Sequence, residues 1–149
     1  MGEMSPLGRI QIGLALAAFL AALVSSIYLA TSVLVEREAC YGVQAVKNPC
    51  AALSAQVLVN LVIVLLIVLA LYAIAALLSL GQQRAADPFA RTTALMFLIL
   101  LTLLIMGMTL SALAGPGFYL LPALVLLVAS LLVGIAAQVL GSKPISTPL

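Results

Sequence analysis

Histidine and tryptophan are absent from this 149-residue chain, and Cys40 and Cys50 are its only cysteines. Without an imidazole there is no histidine for acid–base catalysis, haem ligation or the usual transition-metal sites. Carboxylates are nearly as scarce: Glu3, Glu36, Glu38 and Asp87 are the full set. None of the four falls inside an apolar tract, so a proton-coupled carrier that needs an intramembrane carboxylate has no residue to run on. Six Lys and Arg residues are too few for nucleic-acid binding. Glycine-rich phosphate loops, nucleophile elbows and zinc signatures are missing too. These absences predict a non-enzyme with no metal, no cofactor and no nucleic-acid partner.

What is present is apolar. Hydrophobic residues make up 66% and charged residues 7% of the chain, against about half and a quarter in soluble domains. Such a chain lacks the polar residues to coat a soluble core. Crossing the hydrocarbon of a bilayer takes roughly 20 apolar residues at 1.5 Å rise. Four charge-free tracts qualify, at about 10–35, 53–80, 92–114 and 118–140. The first is too long for the apolar stretch of a secretory signal. The expected fold is all-α, an antiparallel four-helix transmembrane bundle forming a single domain over 1–149.

Four pairs of residues punctuate the chain: Ser5 and Pro6, Asn48 and Pro49, Asp87 and Pro88, Gly115 and Pro116. Ser, Asn and Asp side chains accept from the free amides of a first helical turn. Proline at the first helical position loses only an N–H that had no partner. Each pair therefore marks a helix start, while Gly81 and Gly141 sit where glycine caps would end helices. The predicted helices run over 6–35, 49–80, 88–114 and from 116 or 117 to 140, the second being the longest. The third and fourth, joined by Gly115, Pro116 and Gly117, must be antiparallel neighbours.

Cationic residues set the expected orientation. One side would hold Arg9, Arg84, Arg91 and Lys143, the other Arg37 and Lys47 beside Glu36 and Glu38. The richer side is expected to be cytoplasmic, with both termini there and the protein in the plasma (inner) membrane. Arg84 and Arg91 are read as interface anchors to anionic head groups. Cys40 and Cys50 both fall in the first connection, on the predicted outer side. Oxidising conditions there would close a structural disulfide, worth about 2.5–3 kcal/mol for so short a loop. Four-pass thiol oxidoreductases of the vitamin K epoxide reductase family also carry a cysteine pair in this loop, but need a second Cys-x-x-Cys pair that this chain lacks. The layout is similar to that of claudins, whose outer segment is larger and carries tryptophan.

Within the tracts, Asn60 and Tyr72 are read as interhelical or ligand contacts, because an unpaired carboxamide in hydrocarbon costs several kcal/mol. Gly13 and Ala17 on the first helix, and Ser130 and Gly134 on the fourth, show the small-x-x-x-small spacing of close helix packing. With broad apolar surface and no reactive constellation, the chain reads as a non-catalytic small subunit or assembly-stabilising partner of a larger membrane protein complex, in contact with lipids and other membrane subunits. The alternative reading is a small homo-oligomeric transporter, channel or lipid- or quinone-binding membrane protein.

Overall fold

The computed structural model describes the backbone of residues 5–42, 55–112 and 117–141, and their side chains except at 35–42, 55, 57 and 141. Among these residues there are four helices and no strand: α1 (Pro6–Gly42), α2 (Ala55–Arg84), α3 (Pro88–Ser111) and α4 (Gly117–Gly141). Each is long and apolar enough to cross a membrane, over Pro6–Leu34, Leu58–Arg84, Pro88–Ser111 and Gly117–Leu140.

Two of the expected starts carry the expected chemistry. The Ser5 hydroxyl accepts from the Gly8 amide at 3.2 Å, with Pro6 at the first helical position. At α3 the Asp87 carboxylate accepts from the Phe89 amide at 3.2 Å, again ahead of a proline. In both, the side chain satisfies a donor that the helix cannot.

The ends differ from expectation. α1 runs on to Gly42, past Val35 and the charged Glu36, Arg37 and Glu38. The end of an apolar tract marks where hydrocarbon stops, and charged residues beyond it are good helix formers in water. At 37 residues α1, not α2, is the longest described helix. Nor does Gly81 end α2, which continues to Arg84; no described glycine has a positive φ. Each backbone bond is worth more away from water, so a glycine inside a membrane helix leaves the ladder intact. α3 stops at Ser111, three residues early, because the chain reverses at once: the Gly117 amide donates to the Ala112 carbonyl at 3.0 Å. A Cβ on Gly117 would collide with the backbone at Thr109 and Ala112. Glycine is required there by space. α4 also contains Pro122, whose missing N–H leaves the Phe118 carbonyl without its usual partner one turn from the helix start.

The helices form a ring in which α1 packs on α2 and α4, α2 on α3, and α3 on α4, the α1–α4 pair being the most extensive. Hydrogen bonds fix their directions. Gln11 near the start of α1 meets Gln82 and Gln83 near the end of α2, while Gln138 near the end of α4 meets Thr92 near the start of α3. Neighbours are therefore antiparallel. Beyond the other end of the core, the rings of Tyr28 of α1 and Tyr119 of α4 meet at 5.6 Å between centroids, tilted by 45°.

The buried positions step by threes and fours. On α1 they are Gln11, Ala15, Ala18, Ala22, Ser26 and Leu29; on α2, Leu65, Val68, Tyr72, Ala75, Ser79 and Gln82. α3 buries Leu98, Thr102, Ile105 and Thr109 in the same rhythm. That is the 3.5-residue repeat of helices wound around one another. The inward face of α1 is mostly small and polar, and it meets larger buried side chains such as Tyr72, Leu98, Ile105 and Leu127, while equally large residues such as Val24, Leu77, Leu100 and Val125 face outward. In lipid no hydrophobic force drives helices together, so close approach and hydrogen bonds must do it.

Candidate functional site, a carboxamide cluster at one end of the bundle

Gln11 is completely buried, and its amide is the centre of the most connected polar group among the described residues. Its Nε2 donates to Gln82 Oε1 at 2.9 Å, and its Oε1 accepts from Gln83 Nε2 at 2.5 Å. The Ser130 hydroxyl, also fully buried, donates to the Gln11 backbone carbonyl at 2.9 Å. Three helices are thus joined through one residue. Gly134 lies directly beneath: a Cβ there would stand 2.5 Å from Gln11 Nε2 and 2.8 Å from its Cδ. Gly8 gives the same clearance to Gln83. Deeper in, Ser79, Thr102 and Thr109 each donate to a carbonyl one turn back, at 3.0, 2.7 and 2.8 Å.

Carboxamides do not titrate and are not nucleophiles, so this group holds helices and moves no proton. A single interhelical bond in a membrane is worth roughly 0.6–2 kcal/mol, while a buried amide left unpaired costs about 1–3 kcal/mol. The cluster therefore acts mainly as a penalty on any other helix register.

Tyr72 and Ser26 differ. Tyr72 is 1% exposed within the apolar core, and neither its hydroxyl nor that of Ser26 has a partner among the described residues. A small cavity of ≈ 70 Å³ lies between α2, α3 and α4 toward the α3–α4 turn. Leu65, Val68, Ile105, Met108 and Leu120 line it; its one hydroxyl, Thr109, is already bonded to Ile105. Only hydrocarbon suits such walls.

No family model, curated protein or solved structure matches this chain. The geometry stands alone.

Of the residues singled out by sequence, Ser130 and Gly134 face Gln11. Gly13 points outward with nothing within 4 Å of a Cβ, and Ala17 is half-buried. Asn60 is exposed on the outer face of α2, where its Oδ1 accepts from Gln56 of the same helix at 3.3 Å. Arg84 and Arg91 are exposed at the carboxamide end, as is Arg9. Cys50 and the side chain of Cys40 lie outside the described residues. Gln82 and Gln83 lie past Gly81, where the sequence predicts the helix to end, so sequence alone gives them no place on an inward face. The signal that finds them is the 3-4 step through Ala75 and Ser79 to Gln82, matched on α1 by Gln11, Ala15 and Ala18.

Proposed function

We propose that this protein is a non-catalytic small subunit, or an assembly-stabilising partner, of a larger membrane protein complex. The observation that carries the reading is how the polar side chains are used. Gln11, Gln82, Gln83 and Ser130 hold helices together, while the described charged side chains, Arg9, Arg84, Asp87 and Arg91, are exposed at one end. What remains is a broad apolar exterior suited to lipids and to the helices of other subunits.

In this reading both termini are cytoplasmic and the membrane is the plasma (inner) membrane. The shared location of Arg9, Arg84 and Arg91 supports that orientation. Cys40 and Cys50 then lie on the oxidising side and form a disulfide.

A second reading, a small homo-oligomeric transporter, channel or lipid- or quinone-binding protein, is favoured by the buried hydroxyl of Tyr72, which has no partner among the described residues. Extraction from native membranes in a mild detergent, followed by mass spectrometry of the bound species, separates the two. A subunit comes out in fixed ratio with different polypeptides. A preparation containing only this polypeptide and small molecules would overturn the first reading.

A further inference from the structure

The outer face of α2 carries an amide that the bundle does not use. Asn60 lies within the Leu58–Arg84 span and is exposed. Its Oδ1 accepts from Gln56, but its own N–H donors have no partner among the described residues. The exposed hydroxyls of Thr31, Thr92 and Ser111 behave differently: each returns to a carbonyl of its own helix. Asn60 is the third residue of that span, near its end, where an unused donor on the outer face is free to meet a partner across an interface.

The same face continues as a regular repeat. Asn60, Ile63, Ile67, Ala70, Ile74 and Leu77 follow one another by threes and fours, and all are exposed, Leu77 to 69%. This is the pattern by which one helix meets another along a 3.5-residue seam. A single asparagine among branched apolar residues is the device that fixes register in such pairs. An amide is both donor and acceptor, so the group best matched to Asn60 is another Asn60. Two copies inserted the same way are related by a two-fold axis along the membrane normal, which brings every depth of α2 against itself.

We propose that α2 is a homodimerisation helix, and that Asn60 of one copy hydrogen-bonds Asn60 of a second within the membrane. The contact is independent of the subunit role, since a dimer can enter a larger complex.

The test uses the full chain in native membranes, with a photoreactive benzoylphenylalanine at position 67 or 74, and at the still more exposed Leu100 of α3 and Val125 of α4 as controls. The seam positions give adducts of twice the chain mass; the controls do not. Asn60→Leu weakens self-association roughly 3- to 30-fold, the range for one interhelical polar contact, while Asn60→Gln keeps it. Equal yields at seam and control positions, adducts only to lipid or to a different polypeptide, or unchanged association in Asn60→Leu would each overturn the proposal. Co-purification of other polypeptides with Asn60→Leu reports separately on the subunit role.

Discussion

Gln11 and Gln82, on different helices and 71 residues apart in the chain, share a buried 2.9 Å hydrogen bond at one end of the bundle. Gln83 reaches the same Gln11 amide from the other side. Two adjacent residues of α2 thus grip one residue of α1, and a shift of either helix breaks both contacts.

Replacing Gln11 by leucine strands the two α2 amides. Gln11→Leu is expected to lower stability by about 1–3 kcal/mol, measured by unfolding in detergent. Adding Gln82→Leu recovers part of the loss, since removing both partners leaves fewer unmet groups. Strictly additive effects would show that the pair is not coupled.

Glycines with similar sequence surroundings should respond in opposite ways. Gly134→Ala drives a methyl into the Gln11 amide, which must leave its partners, at a cost of about 1–2 kcal/mol. Gly117→Ala is worse, because its methyl meets backbone. Gly13→Ala meets nothing and is neutral or favourable by about 0.5–1 kcal/mol. Thermal unfolding of the three variants gives the order directly.

These contrasts show what could be read in advance. The spans, the Ser5 and Asp87 caps and the α3–α4 hairpin follow from composition and local turn chemistry. The inward faces do not, because in a chain that is apolar on all sides no alternation of oil and water marks the core. On α1 the face is marked instead by small residues, Ala15, Ala18 and Ala22, which resemble any alanine-rich tract, and on the other helices buried Leu98 or Leu127 looks no different in sequence from exposed Leu77 or Leu100. Asn60 and Gln11 are both carboxamides near a span's end, and only packing separates the outward one from the buried one.

Tyr72 separates the two functional readings. Its hydroxyl is buried without a partner among the described residues, so Tyr72→Phe should stabilise the delipidated protein by about 1 kcal/mol. Loss of lipid- or quinone-dependent stabilisation in the same variant would favour the binding reading instead.

The central claim is that four antiparallel helices cross a bilayer with the carboxamide end at one face. Membrane-impermeant maleimide labelling of Arg9→Cys, Arg84→Cys and Arg91→Cys in sealed membranes, read peptide by peptide by mass spectrometry, tests it most directly. All three sites should react from one and the same side. Labelling of position 9 and position 84 from opposite sides would contradict the account.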